Sequence, residues 1–125
     1  MRKEPKIFVF GSNLMGIHKK GAALHALKFH RAELGNGLGM QGECYAIPTK
    51  RTPHETLPLA WINKYVADFI NFASIMPEFT FEVTKIGCGL AGYCPEDIAP
   101  MFHFAQEFKN IELPLEFTTL LNPLR

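Results

Sequence analysis

Apolar residues fall along this chain in short blocks whose spacing switches between that of a strand and that of a helix. Lys6–Phe10 (KIFVF) is an apolar run that stops at Gly11, the pattern of a buried strand. GSNLMGIHKKG follows, a loop of glycines and polar residues. From Ala22 to Leu34 good helix formers dominate. Ala23, Ala26, Leu27 and Leu34 fall near one face, which predicts a helix. The glycines of Gly35–Gly42 exclude a stable helix there. Cys44–Pro48 (CYAIP) predicts a second strand ended by its proline, and Thr49–Pro58 is predicted as a polar loop. The clearest helix comes next: Ile62, Val66, Phe69, Ile70 and Ala73 share a face, and Pro77 bounds it. Phe79, Phe81 and Val83 alternate with Thr80, Glu82 and Thr84, as in a strand with one side buried. Pro95 suits the first turn of a further helix, and Glu96 and Asp97 complement its dipole. Ile98, Met101, Phe102 and Ala105 supply its apolar face, and Pro100 comes early enough to be tolerated. A short strand is expected near Ile111–Leu113; the pattern of the last residues, FTTLLNPLR, is ambiguous.

The predicted order is β, α, β, α, β, α, β. Such alternation argues for an α/β layered domain with a mainly parallel sheet. Ligands of these sheets collect at the carboxyl ends of strands, beside helix N-termini. Three loops then share one rim: Gly11–Gly21, Thr49–Pro58 and Gly87–Pro95. Phe10, Phe79, Phe81 and Phe102 are expected in the core, Trp61 packed at the start of its helix, and His25 and His30 at the surface or boundary of the first helix.

Composition narrows this picture by exclusion. A length of 125 residues fits one domain, spanning residues 1–125. A formal charge of +1 lacks the basic excess of a duplex DNA binder, so nucleic acid is not the expected partner. No apolar run approaches the roughly 20 residues that span a membrane. The apolar stretch near the start is too short for a signal peptide, so a cytoplasmic protein is expected. Cys44, Cys88 and Cys94 are odd in number, and Cys88, Cys94 and His103 match no standard zinc spacing. Reduced thiols, with no metal and no cofactor, are expected.

Candidate chemistry centres on GCGLAGYCPEDIAP, residues 87 to 100. Two glycine loops lie where a strand gives way to a helix. Glycine admits positive φ and a close approach to the backbone, and a helix N-terminus offers unpaired N–H groups to an anion. The plainer reading is that the glycines only make tight turns. Two such loops at one rim, with Thr49 and Lys50 on a third, favour a phosphate-bearing ligand. Neither loop has the G-x-x-x-x-G-K-[ST] order. GCGLAG comes too late in the chain for a dinucleotide fingerprint.

VFGSNLMGIHKKGAALHAL, GECYAIPTK and KIGCGLAGYCPEDIAPMF, in that order, resemble the macrodomain superfamily of ADP-ribose readers and hydrolases. The middle block is similar to the branch that removes terminal ADP-ribose from proteins. The likeness covers residues 6 to about 105. It implies a three-layer α/β/α fold with a mixed, mainly parallel sheet. It also implies an Asn13 beside the distal ribose, and Gly16 and Gly21 in a loop curling round that ribose and the diphosphate. Gly87, Cys88, Gly89, Leu90, Ala91 and Gly92 would form the second phosphate loop, with Tyr93 just beyond it. Gly11, Ser12, Ala22 and Thr49 complete the expected contacts, and His18 is a candidate phosphate donor or general acid. Lys19 and Lys20 depart from the family's small residues, adding charge or stiffening the loop. Lys50 matches the lysine that attacks the anomeric carbon, but the place of its acidic partner looks to be Ala91. Glu96 and Asp97 are candidates to replace that acid, and also ordinary helix-start residues. His54 is a candidate for the rim near Lys50.

Two functions stand on this reading. The chain binds ADP-ribose or a derived nucleotide, free or carried by a macromolecule, and either stops there or also cleaves an ADP-ribosyl bond with Lys50. The alternative is a non-catalytic interaction or structural protein whose glycine turns hold no nucleotide.

Overall fold

The structure, a computed structural model, describes residues 6–123. The chain's first five residues and its last two lie outside these, with part of the ambiguous C-terminal stretch and of the N-terminal segment weighed as a leader. Six strands are described: β1 (Lys6–Asn13), β2 (Gly39–Gln41), β3 (Cys44–Thr52), β4 (Glu55–Thr56), β5 (Thr80–Val83) and β6 (Ile111–Glu112). The helices are α1 (Gly21–Phe29), α2 (Leu59–Ser74), α3 (Pro95–Ile98), a 3-10 helix (Ala99–Glu107) and α4 (Leu115–Leu121). The sheet runs β2-β3-β1-β5-β6, with β4 hairpinned onto β3. The β1–β3, β1–β5 and β5–β6 pairs are parallel; β2–β3 and β3–β4 are antiparallel.

The two-residue alternation of a strand assigns the layers. Ile7 and Val9 lie in register with Phe81 and Val83 on one side, and Val9 with Tyr45 on the other. These residues bury one sheet face against Ile62, Val66, Phe69 and Ala73 of α2, together with Ile98, Phe102 and Phe117. Phe8 and Phe10, in register with Cys44 and Ala46, point the other way and pack against Ala23 and Ala26 of α1. The result is a three-layer α/β/α arrangement with a mixed, mainly parallel sheet. The α2 pattern behaves as the sequence implies, with Ile62, Val66, Phe69, Ile70 and Ala73 all buried. Asn110 donates from its side-chain amide to the carbonyls of Ala73 (2.9 Å) and Met76 (3.2 Å), satisfying acceptors at the end of that helix.

Several boundaries differ from the sequence expectation. β1 continues through Gly11 to Asn13, because parallel partners on both sides outweigh the low strand preference of glycine. α1 ends at Phe29 rather than Leu34. Arg31 takes φ 62° and Ala32 N–H turns back to the Ala26 carbonyl (3.2 Å), leaving Leu34 exposed. Gly42 is what permits this reversal, since a Cβ there would lie 2.3 Å from the Arg31 carbonyl oxygen. β3 runs past Pro48 to Thr52. The ladder slips a residue at that point, with Ser12 opposite Pro48 and Asn13 opposite Lys50, so the missing proline N–H falls at a bulge. The polar loop expected over Thr49–Pro58 is partly a hairpin, pairing Lys50 with Thr56 and Thr52 with Glu55. β2 arises inside the glycine-rich stretch as an edge strand. The helix begun at Pro95 changes to 3-10 geometry at Ala99. Pro100 removes an N–H from the α ladder and crowds the carbonyl four residues back. Phe79 is only partly buried, and Trp61 is 48% exposed beneath the Arg51 guanidinium (6.0 Å to the ring centre) rather than packed in the core.

Candidate functional site

Parallel strands β1, β3 and β5 end at one edge of the sheet, and a cleft of about 800 Å³ opens there. That volume lies within the range of small-molecule sites, roughly 300–1,000 Å³. Its floor is Gly11, Ser12 and Asn13 of β1, Thr49 and Lys50 of β3, and Thr84 to Gly87 after β5. One wall is Ile17 with Lys19 to Ala23, where the first glycine loop enters α1; the other is Gly89 to Ala91. Pro53 and His54 of the β3–β4 turn close one end. The walls meet above the floor: a Cβ on Gly21 would sit 3.4 Å from Leu90 Cδ1. Gly11 lies between Thr49 and Gly87, where a Cβ would stand 3.4 Å from the threonine hydroxyl and 3.5 Å from the Gly87 nitrogen.

Polar side chains on the floor are already engaged. Ser12 Oγ donates to the Gly37 carbonyl (2.5 Å), Thr49 Oγ1 to Ser12 (3.3 Å) and Thr84 Oγ1 to Val9 (2.7 Å). Asn13 spends both ends of its amide on Ile17, donating to its carbonyl (2.9 Å) and accepting its N–H (3.1 Å). Its visible work is to hold the loop in shape. What remains free is main chain. The N–H groups of Gly87, Gly89, Leu90 and Ala91 meet no hydrogen-bond acceptor among the described residues. Across the cleft, α1 starts without a side-chain cap and without an acidic residue in its first turn. Its leading N–H groups at Gly21, Ala22 and Ala23 are the donors that a helix end leaves unpaired.

The cleft is also basic. Lys19, Lys20, Lys50, Lys85 and His54 border it, and no carboxylate does among the described residues. Lys85 pairs with Glu116 (3.3 Å), and the Lys50 ammonium donates to the Pro53 carbonyl (2.5 Å). Lys19 and Lys20 have no ion-pair partner among the described residues. Asp97, a candidate from the sequence for an acidic role, is engaged elsewhere. It accepts the Cys94 N–H (3.1 Å) at the start of α3, and neither it nor Glu96 borders the cleft.

Of the residues singled out from sequence, the structure brings Gly11, Ser12, Asn13, Gly21, Ala22, Thr49, Lys50, Gly87, Gly89, Leu90 and Ala91 to the cleft. Five others face elsewhere. His18, a candidate phosphate donor or general acid, is fully buried and does not line the cleft. Its Nε2 donates to the Glu33 (3.0 Å) and Asn36 (3.1 Å) carbonyls, its Nδ1 is unpartnered, and its edge meets Phe10. Two carbonyl acceptors require the proton on Nε2. Gly16 is pressed against Gly35 and Asn36. Cys88 packs on the core, and burial raises its thiol pKa. Tyr93 donates its hydroxyl to the Leu57 carbonyl (2.7 Å), and Gly92 serves the turn at φ 87°. The sequence reading missed Ile17, Ala23, Pro53 and Thr84 to Ile86. Their one legible sign is position, since Thr84 to Ile86 directly follow a parallel strand.

Comparison with models of known families found no match, and neither did comparison with curated proteins. Among solved structures, "Thermosipho africanus DarTG in complex with ADP-ribose" matches 90% of this chain with a TM-score of 0.60 at 18% sequence identity. The fold is macrodomain-like. The match covers 40% of the DarTG chain, so this chain corresponds to less than half of that protein. No helix among the described residues is long and apolar enough to cross a membrane.

Proposed function

We propose that this macrodomain-like chain binds ADP-ribose, or a nucleotide closely related to it, with the diphosphate between the start of α1 and the Gly87–Gly92 turn. The observation that carries the reading is the pair of unpartnered N–H sets bordering a single cleft of ligand size. Exposed Lys19 and Lys20 support it. A cation beside the positive end of a helix is unfavourable until an anion sits between them. The fold neighbour's complex with ADP-ribose points to the same ligand class. The nucleotide is free or carried by a macromolecule.

Binding is the primary activity. Cleavage of an ADP-ribosyl bond would need the Lys50 amine deprotonated for attack and a group to move the proton. With no carboxylate among the described lining residues, His54 in the adjoining turn is the available group. Thermal unfolding with and without ADP-ribose tests the binding reading. Ligand at about 100 times Kd stabilises by roughly 2.7 kcal/mol, about 10 °C for a domain of this size. No shift with millimolar ADP-ribose or related nucleotides would overturn it. If turnover of an ADP-ribosylated substrate is found, Lys50→Ala abolishes it; an unchanged rate removes the lysine from the chemistry.

A further inference from the structure

The second glycine turn is seated at its base, where Cys88 and Tyr93 pack on the core and a Cβ on Gly87 would lie 3.0 Å from Ile98, but its outer residues have few holds. Gly87 and Gly92 sit at φ 78° and 87°, a Cβ on Gly89 or Gly92 would meet nothing within 4 Å, and Leu90 is exposed. The turn closes on itself through Gly92 N–H to Gly89 (3.0 Å) and Tyr93 N–H to Gly87 (2.9 Å). Among the described residues, two side-chain hydrogen bonds join it to another element, and both reach the same one. Thr56 Oγ1 donates to the Ala91 carbonyl (3.0 Å), and the Tyr93 hydroxyl donates to the Leu57 carbonyl (2.7 Å). Thr56 and Leu57 belong to the return arm of the hairpin that carries Lys50. Thr56 is the residue paired with Lys50 across β3 and β4, and Leu57 N–H is anchored to the Thr49 carbonyl (2.9 Å).

We propose that Thr56 and Tyr93 are positioning residues: they latch the phosphate-side turn to the Lys50 hairpin, so that a ligand held by the turn is presented to the Lys50 amine in one fixed placement. This rests on the reading that the cleft takes ADP-ribose. Thr56 is exposed, and water could satisfy the Ala91 carbonyl in its place. A bond that water can replace adds little to folding stability, so its consequence is placement. Packing seats the base of the turn, where Cys88 and Tyr93 lie on the core, but a Cβ at Gly89 or Gly92 would point into open space, so at the outer part of the turn the directional ties to the hairpin are these two hydrogen bonds.

The test compares Thr56→Val, which keeps shape and loses the hydroxyl, with Thr56→Ser, which keeps the hydroxyl, and with Tyr93→Phe. Calorimetry reads ADP-ribose affinity. Labelling by an amine-reactive succinimidyl ester, read by mass spectrometry at Lys50 with ADP-ribose saturating for each protein, reads placement. Expected are affinities about fivefold weaker for Thr56→Val and Tyr93→Phe, the effect of one lost hydrogen bond, with Thr56→Ser close to wild type. Bound ADP-ribose slows labelling of Lys50 in wild type and Thr56→Ser, and does so far less in the Thr56→Val, Tyr93→Phe double variant. Wild-type affinity and protection in the double variant would overturn the proposal, as would Thr56→Ser failing alongside Thr56→Val. If the wild-type protein takes no ADP-ribose, the functional reading fails by itself. Hydrogen exchange at the Gly92, Tyr93 and Leu57 amides of the ligand-free proteins then decides the latch: faster exchange in both hydroxyl-deleted variants upholds it, and unchanged exchange removes it.

Discussion

Replacing Gly16 with alanine separates what the fold needs from what a ligand needs. The family likeness assigns Gly16 to the ribose loop, yet it sits at φ 70°, and a Cβ there would lie 2.3 Å from both the Asn36 nitrogen and the Gly35 carbonyl carbon. Left-handed geometry costs a non-glycine residue roughly 1–2 kcal/mol, partly offset by about 0.4–1 kcal/mol from a less flexible unfolded chain. The overlap is with backbone, so no rotamer change relieves it and the Gly35–Asn36 segment has to move. That movement strains the Gly35 N–H bond to the Gly16 carbonyl (2.9 Å) and the His18 bonds to the Glu33 and Asn36 carbonyls. Each such bond is worth about 1 kcal/mol net. The total is about 3 kcal/mol, which for a domain of this size lowers Tm by roughly 10–12 °C. Circular dichroism melts of wild type and Gly16→Ala without ligand make the measurement. A Tm within about 2 °C of wild type would refute the assignment of Gly16 to the fold.

Gly89→Val is the complementary case. Its φ is ordinary and a Cβ meets nothing, so Tm holds while the new methyls stand at the cleft wall. Calorimetry should show ADP-ribose affinity reduced at least about tenfold, and unchanged affinity would remove this turn from the site. Burial depresses the pKa of His30 below its usual 6.5, reinforced by His25 and opposed by Glu43 and Glu82. The unfolded chain therefore takes up its proton first, and stability falls as pH drops below 6.5 toward the folded value. His30→Phe, which keeps the 4.4 Å stack on Phe8, should flatten that acid slope in melts. At the other extreme, burial raises Cys44 from 9.0 to about 12 and Tyr45 from 10.0 to about 12. The unfolded chain releases these protons first, so stability declines from pH 9 upward. Cys44→Ala should lower Tm at neutral pH yet shrink its further fall between pH 9.0 and about 12, and an unaltered slope would exclude the thiol as its source.

Elements with a strong period were legible in the chain because their burial is decided locally. Ile62 to Ala73 place one apolar face on a helix whichever neighbour covers it, and Phe81 and Val83 alternate for the same reason. The strand-to-helix turns before Gly21 and at Gly87–Pro95 were legible too, apart from the extension of β1 through Asn13, since glycine clusters between periodic segments have few other uses. From these, the layered α/β class and the position of a strand-end cleft follow from the sequence by itself. Tertiary structure decided where β1 and β3 stop, because the ladder between them carries both past Gly11 and Pro48. It decided which polar residues of the motif are free. Asn13, Ser12 and His18 look alike as candidates in the sequence, but the Gly35–Gly37 segment and Ile17 engage all three. It also decided that Lys50 and Ala91, far apart in the chain, border one space and are tied through Thr56. Periodicity records which side of an element is apolar; which donor has already found its acceptor depends on segments that meet only after the chain has folded.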